Sequence, residues 1–320
     1  MSIKDKKIVV TGAAGFIGSN LVDKFLELGV EVIGVDNLYN GRMENLEDAL
    51  KSKKFEFIKG DIRDLNFLLD IFQDIDIIYH EAAFTSVPES LKLPATCNDF
   101  NLNGTLNILN AARQRDIEKI IFASSASVYG DIDLLPIKED IHRMPISPYG
   151  ASKLACEAYM QSYHFVYGLE TVCLRYFNVY GPKQGYSPYS GVISIWLSSI
   201  MRNEDLIVFG DGENLRDYTY IKDVVQANLI VANKDIGGEI LNIACGSPIN
   251  LTDLAKLMLK LTNKDNLKII YTDPRLGDIK HSYGDTSKAK RLIDFESNYN
   301  QEEGLRDYIK WYFQKYKINM

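Results

Sequence analysis

The sequence predicts an α/β fold, a Rossmann-like doubly wound parallel sheet with a smaller α/β substrate-binding lobe. Short apolar runs rich in β-branched residues alternate with longer amphipathic stretches through the first half of the chain. This alternation is typical of a parallel sheet that helices cover on both faces. A glycine-rich turn follows the first apolar run and an acidic residue ends the second. That order is typical of a dinucleotide-binding sheet.

Apolar runs predict the strands, at 8–10, 32–35, 55–58, 75–78, 120–123 and 171–174. A first helix is predicted where Leu21, Phe25 and Leu28 share one face, and further helices at 98–115 and 148–167. After residue 178 the elements become shorter, and an aromatic helix ends the pattern near 305–316. We therefore expect a dinucleotide-binding domain of residues 1–178 plus roughly 216–245, with a second lobe of 179–215 and 246–320.

The composition indicates a globular protein and excludes several classes of function. The 320 residues are 46% hydrophobic, and the net charge of −7 argues against nucleic acid as a partner. No apolar run reaches the ~18 residues of a membrane-spanning helix, which argues against a membrane protein. The 4 cysteines are widely spaced without a Cys-x-x-Cys pair. We therefore expect neither a metal site nor a disulfide, and a reducing cytoplasmic location.

The turn at residues 11–18 indicates a phosphate-binding site. Gly12, Gly15 and Gly18 lie between the first strand and the first helix, where backbone N–H groups and the positive helix end meet a phosphate. Their spacing is GxxGxxG, whereas the commoner fingerprint is GxGxxG. Asp36 ends the second strand, where a carboxylate binds ribose hydroxyls and repels a 2′-phosphate. The sequence therefore predicts NAD rather than NADP, although glycines and Asp are also common turn and cap residues.

Tyr149 and Lys153 are the predicted catalytic pair. They lie four residues apart in a helix that begins after Ser147, so both are expected on one helical face. A tyrosine pKa of ~10 falls beside an ammonium and a positive nicotinamide ring, which would make the tyrosinate a general base. Ser125 follows the strand at 120–123 and supplies a hydroxyl beside that base. Each feature taken singly also has an ordinary structural explanation.

In combination, these segments resemble the extended short-chain dehydrogenase/reductase superfamily and its NAD-dependent sugar-nucleotide epimerase/dehydratase branch. Within that branch the UDP-glucose and UDP-N-acetylglucosamine 4-epimerases are the most similar. The similarity runs nearly end to end, through TGAAGFIG, DNLYNGR, GDIRD, HEAA, NLNGT, SSASVYG, YGASK, LRYFNVYGP, RDYTYIKDV and RLGDIKHS. Several motifs in one order are far more specific than any of them alone.

The resemblance implies roles for individual residues. Tyr149 is the implied base, Lys153 holds the nicotinamide ribose, and Ser125 binds the sugar O4. His80 is expected to be structural. The NAD contacts implied by the family are Gly12, Gly15, Phe16, Ile17, Asp36, Asn37, Asn40, Asp61, Ile62, Ala82, Ala83, Asn101, Tyr149, Lys153 and Tyr176. The UDP-sugar contacts are Ser86, Ser125, Ser127, Tyr149, Asn178, Val192, Ile207, Phe209, Arg216, Tyr218, Arg275, Asp278 and Ser282.

Two departures from the family pattern bear on the reaction. Ala126 and Ser127 stand where 4,6-dehydratases carry an acid pair, which argues against dehydration. Ser282 stands where glucose-specific members often have a bulky tyrosine beside the sugar C2, so an N-acetyl group should fit. The expected activity is 4-epimerisation of UDP-GlcNAc/UDP-GalNAc through a 4-keto sugar, with UDP-Glc/UDP-Gal as a further pair.

Alternatives stay open at this point. A UDP-glucuronate 4-epimerase or another NAD-dependent sugar-nucleotide enzyme would share the same motifs. A net oxidoreductase would consume free cofactor, and a non-catalytic NAD-sensing interaction protein would need no reaction. The resemblance also implies a homodimer through the helices at 98–115 and 148–167.

Overall fold

The computed structural model describes residues 3–185, 191–274 and 279–317. The strands in chain order are β1 (Lys7–Thr11), β2 (Glu31–Asp36), β3 (Phe55–Lys59), β4 (Ile77–His80), β5 (Lys119–Ser125), β6 (Glu170–Tyr176), β7 (Leu206–Phe209), β8 (Leu215–Arg216), β9 (Ile240–Ile243), β10 (Ile249–Asn250), β11 (Ile269–Thr272) and β12 (His281–Ser282). The helices are α1 (Phe16–Glu27), α2 (Leu65–Ile71), α3 (Val87–Lys92), α4 (Pro94–Asn98), α5 (Gly104–Gln114), α6 (Pro148–Tyr167), α7 (Val192–Met201), α8 (Ile221–Ala232), α9 (Leu251–Leu261), α10 (Ser287–Ile293) and α11 (Gln301–Tyr316).

The central sheet has seven strands in the order β3-β2-β1-β4-β5-β6-β9, and every pair is parallel. The chain order reverses at β1, which pairs with β2 on one side and with β4 on the other. In sheets of this kind ligands bind beyond the carboxyl ends of the strands at such a switch point. The Rossmann-like fold class is therefore confirmed, and the topology fixes where a ligand site is expected.

Helices cover both faces of this sheet, and β1 shows how the sequence achieves this. Ile8, Val9 and Val10 are completely buried. Ile8 and Val10 belong to the apolar layer that contains Phe25 of α1, whereas Val9 belongs to the opposite layer with Met160 of α6. A strand buried on both faces needs a continuous apolar run, because successive side chains point to opposite sides.

The structure confirms the six predicted strands, with small differences at their ends. β4 begins at Ile77 and not at Ile75, and just before it the Asp76 carboxylate accepts a hydrogen bond from the Lys7 N–H at 2.7 Å. The helix at 148–167 is also confirmed. The helix predicted at 98–115 is divided, since residues Asp99–Asn103 form a π-helical turn before α5.

The remaining strands form two small sheets outside the central one. β8 lies between β10 and β12, and β7 pairs with β11. β9 returns to the central sheet beside β6, so the chain crosses from one part of the fold to the other more than once. Among residues 3–185, 191–274 and 279–317, no helix has the length and hydropathy that crossing a membrane requires.

Candidate active site

The glycine turn between β1 and α1 is shaped by close backbone approaches. Gly12 has φ of +70°, and a Cβ at this position would lie 2.7 Å from the Ala82 N. A Cβ at Gly18 would collide with the Gly12 carbonyl oxygen. The first turn of α1 is therefore held directly against the loop, with Gly15 as its N-cap. The N–H groups of that first turn have no partner within the helix, so they are available to a phosphate.

Asp36 lies at the end of β2 and borders the same turn. Its carboxylate accepts the N–H of Ala14 at 3.0 Å and the N–H of Leu38 at 2.7 Å. Burial raises the pKa of Asp36, and the two backbone hydrogen bonds act in the opposite direction. A carboxylate has about four lone-pair sites, so oxygens fixed in this way still accept ribose hydroxyls.

The catalytic side chains converge where β5 and α6 meet. Ser147 caps α6 by accepting the N–H of Gly150 at 3.1 Å. A Cβ at Gly150 would collide with the Ser127 carbonyl oxygen, so the first turn of α6 packs on the backbone that follows β5. This packing brings the Tyr149 hydroxyl into hydrogen-bonding contact with Ser125. The Ser125 hydroxyl also donates to the Ser127 hydroxyl at 3.1 Å.

Burial shifts the pKa values of both Tyr149 and Lys153. Burial raises the pKa of Tyr149 to about 12, and the hydrogen bond with Ser125 offsets only part of this effect. Lys153 is 2% exposed, and its ammonium donates to the Ala123 carbonyl at 2.7 Å. Burial also lowers the pKa of Lys153. Desolvation is therefore the largest influence on the Tyr149 pKa, and the positive charge of a bound nicotinamide ring would act in the opposite direction.

A buried ion pair lies beneath the end of β5, and the sequence analysis assigned it no role. The guanidinium of Arg175 on β6 donates to Glu157 on α6 at 2.7 and 2.8 Å. Glu157 also accepts the hydroxyl of Ser124 at 2.5 Å. These contacts tie β5, β6 and α6 together one residue before Ser125. No local pattern reveals the pair, because its members are distant in sequence and the fold alone joins them.

Glu81, which directly follows β4, is a second group that sequence reasoning missed. The hydroxyl of Tyr176 donates to Glu81 Oε1 at 3.1 Å and accepts from Asn228 Nδ2 at 2.9 Å. Burial raises the pKa of Glu81 to about 7, against the opposing effects of Tyr176 and of the Lys153 charge. An acidic residue at the carboxyl end of an apolar strand was the available signal.

One cavity of about 690 Å³ joins the glycine turn to the catalytic side chains. Its lining includes Glu81 and most of the residues that the resemblance implies for NAD. The predicted residues in the lining are Gly12, Gly15, Phe16, Ile17, Asp36, Asn37, Asn40, Ile62, Ala82, Ala83, Ser86, Ser125, Ser127, Tyr149, Lys153, Tyr176 and Asn178.

Two predicted NAD contacts, Asp61 and Asn101, lie outside the lining of this cavity. Asp61 accepts the amide of Asn37 at 2.9 Å, and its hydrogen bonds with Arg63 lower its pKa to about 2. Asn101 is 2% exposed and bonds the Phe84 backbone, with its side-chain oxygen accepting the Phe84 N–H at 2.7 Å. Neither side chain is in the lining of the cavity, although Asp61 contacts the lining residue Asn37.

Six of the residues predicted to bind the UDP-sugar are not in the lining of this cavity. Val192, Ile207, Phe209, Arg216, Tyr218 and Ser282 belong to α7 and the small sheets or follow them, and none is in the described lining. Ser282 pairs with Arg216 across β12 and β8. The Arg216 guanidinium donates to the carbonyls of Leu215, Ile279 and Lys280. Arg275 and Asp278 lie outside the described residues.

His80 lies inside the fold and not in the cavity. His80 is fully buried, with its ring nitrogens 2.9 Å from the hydroxyls of Thr11 and Thr105. This position is structural, as expected, because the side chain has no access to the cavity. In the described part of the chain, no three His, Cys, Asp or Glu side chains form a metal-binding group.

The residues present fit a dinucleotide. The tight turn at Gly12 leaves no space for a side chain, Asp36 borders it, and the cavity runs from there to Tyr149 and Lys153. The fold and the site define a nicotinamide-dependent enzyme with a Ser–Tyr–Lys constellation. The family model described as "NAD dependent epimerase/dehydratase family" matches residues 8–244, and the chain belongs to that family.

Known proteins of the family are similar over the whole chain. One is the UDP-N-acetylglucosamine 4-epimerase from Methanobrevibacter ruminantium in complex with UDP-N-acetylmuramic acid, with a TM-score of 0.93, 38% identity and coverage of 98% of this chain and 100% of that chain. Another is the UDP-glucose 4-epimerase from Thermotoga maritima with UDP-glucose, with a TM-score of 0.92, 37% identity and coverage of 97% and 99%. The UDP-glucose 4-epimerase of Mycolicibacterium smegmatis is 35% identical over 97% of this chain and 99% of its own length.

These similarities establish the kind of enzyme. The chain is an NAD-dependent enzyme of the epimerase type that acts on UDP-sugars. The identity of the sugar does not follow from these similarities, because relatives that are both 35% identical to this chain are named for UDP-glucose and for UDP-glucuronate.

Proposed function

We propose that the protein is a UDP-hexose 4-epimerase that interconverts UDP-GlcNAc and UDP-GalNAc, and that it also accepts UDP-Glc and UDP-Gal. The observation that carries the proposal is the meeting of Ser125, Tyr149 and Lys153 in the cavity that begins at the glycine turn. A reaction at the sugar C4 needs a base, a hydroxyl to hold O4 and a hydride acceptor within one enclosed space.

Each catalytic side chain has a defined task in this reaction. The bound NAD supplies the chemistry of taking a hydride from C4 and returning it to the opposite face. Tyr149 Oη removes the O4 proton and later returns it, while Ser125 Oγ holds O4 in line with that oxygen. Lys153 binds the ribose and keeps a positive charge near Tyr149. The partly enclosed cavity limits access of water to the 4-keto sugar.

The residues that follow β5 favour epimerisation over dehydration. Elimination of water across C5 and C6 requires an acid at the sugar. Ala126 has no acidic group, and the Ser127 hydroxyl accepts a hydrogen bond from Ser125. Tyr149 is then the proton-transfer group at the sugar, and it serves both half-reactions.

We propose that residues of α7 and the two small sheets hold the nucleotide in place while the 4-keto sugar rotates. We assign the diphosphate to Asn178, Arg216 and Arg275, and the uridine to Val192, Ile207, Phe209 and Tyr218, with Asp278 beside them. Asn178 supports this placement, since it is exposed, lines the cavity and donates to the Asp217 carbonyl at 2.9 Å, which links the two parts of the site. Because the protein as a whole is negatively charged, its binding of a diphosphate depends on individual arginine side chains at the site.

We base the proposed preference for N-acetylated sugars on Ser282. It pairs with Arg216 in the small sheet, so the sugar beside the diphosphate is expected near it. Serine leaves space beside C2 for an N-acetyl group. The relative from Methanobrevibacter ruminantium, whose structure holds an N-acetylated sugar nucleotide, supports this preference.

A product assay tests the function. Purified full-length protein is incubated separately with UDP-GlcNAc, UDP-Glc and UDP-GlcA without added NAD, and products are separated by chromatography. We expect UDP-GalNAc from UDP-GlcNAc, with Tyr149→Phe as the inactive control. Product from UDP-Glc alone would contradict the Ser282 argument, and product from UDP-GlcA alone would favour a uronate epimerase. A product lighter by one water, or stoichiometric release of NADH, would contradict epimerisation.

A cytoplasmic homodimer is part of the same proposal. α6 exposes large apolar side chains on its outer face, including Tyr159 at 41% and Val166 at 66%. Apolar side chains on one face of a helix that also lines the site are typical of a subunit interface. Light scattering coupled to size exclusion is expected to give twice the 36.3 kDa chain mass.

A further inference from the structure

Glu81 is an acidic side chain that the proposed reaction does not use. It follows β4 directly, is half-buried, and lines the cavity together with Tyr149, Lys153 and Tyr176. A carboxyl group without a structural or chemical function is costly at such a position, because desolvation disfavours its charged form.

The neighbouring groups are arranged to accept a carboxylate. Asn228 is completely buried, and its Nδ2 donates to the Val224 carbonyl at 2.8 Å, which fixes the orientation of the amide. The same Nδ2 donates to the Tyr176 hydroxyl at 2.9 Å. The phenol proton of Tyr176 is therefore directed to Glu81 Oε1, at 3.1 Å, where an ionised carboxylate is the better acceptor.

We propose that the Glu81 carboxylate holds the bound nicotinamide in its oxidised, cationic form. This inference rests on the proposed placement of the reacting nicotinamide beside Tyr149. When the oxidised ring accepts a hydride from the sugar, two electrons and a hydrogen enter the ring and its positive charge disappears. A fixed anion at this end of the cavity stabilises the charged ring and not the neutral one. It thus favours return of the hydride to the 4-keto sugar at the end of each turnover.

The charges around Glu81 set the pH dependence. Lys153 and Tyr149 on α6 and Tyr176 on β6 interact electrostatically with Glu81. Since burial raises the pKa of Glu81 to about 7, the carboxylate is present above neutrality. Its protonation on acidification removes the preference for the oxidised ring.

An equilibrium competition tests the inference without any sugar. Full-length protein is dialysed to equilibrium against mixtures of NAD⁺ and NADH at fixed total concentration, and the bound ratio is read from the absorbance at 340 nm. At pH 8 we expect Glu81→Gln to shift this ratio toward NADH by ~10-fold, which corresponds to ~30 mV for a two-electron couple. Glu81→Asp, which keeps the charge, should stay near the unmodified protein. Glu56→Gln changes the net charge equally at an exposed position of β3 and should have no effect.

The outcomes separate this inference from the proposed function. Equal losses of affinity for both forms, or a ratio within twofold of the unmodified protein, would overturn it. If Glu81→Gln does not fold, the unmodified protein decides the matter, because its ratio must move toward NADH between pH 8.5 and 6. A ratio that is independent of pH there would contradict the role of Glu81. A shifted ratio in a protein that epimerises no UDP-sugar would disprove the proposed function and leave the role of Glu81 intact.

Discussion

Replacing Glu157 by Gln would leave a buried charge without its partner. Arg175 and Glu157 have side chains that are 0% and 2% exposed. The Glu157 carboxylate accepts hydrogen bonds from Arg175 and from Ser124, and both of its oxygens are used. A Gln amide has one accepting oxygen, so at least one of these contacts becomes donor against donor. Breaking a buried pair by removing one partner costs about 3–5 kcal/mol.

Chemical denaturation measures this cost. Unfolding in guanidinium is followed by the fluorescence of Trp196 and Trp311 and by circular dichroism, and coincident transitions justify a free energy. Glu302→Gln is the matched control, because its i,i+4 pair with Arg306 is 46–65% exposed and should lose at most about 0.5 kcal/mol. Arg175→Met in the Glu157→Gln background should recover part of the loss. A Glu157→Gln loss below about 1 kcal/mol would refute the assignment of this pair as a structural support.

The remaining predictions concern the site. Gly18→Ala should abolish retention of NAD by a protein that still folds, since the Cβ collides with the Gly12 carbonyl, and cofactor absorbance after gel filtration checks this. Tyr149→Phe should lower kcat by about 10²–10⁴-fold and keep NAD bound. Because burial raises the Tyr149 pKa, kcat/KM of the unmodified enzyme should increase as pH rises from 6 to 9, and a flat profile would argue against tyrosinate as the base. Ser282→Tyr should reduce kcat/KM for UDP-GlcNAc by about 10–200-fold relative to UDP-Glc, in parallel assays of both sugars.

The fold and the dinucleotide-binding half of the site could be predicted from patterns of residues that are close together in the sequence. β1 is a continuous apolar run followed by glycines that the chain geometry requires, and Asp36 ends the next strand, so sequence order alone placed them. Tyr149 and Lys153 were predictable for the same reason, because a helix fixes the relation of residues four apart.

Other parts of the site depend on distances that no local pattern encodes. β9 adds to the central sheet beside β6 after more than sixty residues of intervening chain. The Arg175–Glu157 pair and the contact of Glu81 with Tyr176 each join different elements, and their existence follows from packing and not from spacing. The burial that raises the Tyr149 pKa could not be read from the sequence, since it depends on how much water the fold removes from the hydroxyl.

Two separate charge systems support the reacting end of the cavity. Arg175 and Glu157 neutralise each other, and Ser124 and Tyr129 complete their hydrogen bonding, so they contribute rigidity and no free charge to the site. Lys153 and Glu81 are not hydrogen-bonded to each other in this way. Lys153 donates to the Ala123 carbonyl and Glu81 accepts from Tyr176, so the two groups do not neutralise each other in a direct ion pair. In the proposed reaction the hydride is taken up and then returned, and this second arrangement suits both steps, because the cation would favour the tyrosinate and the anion the oxidised ring.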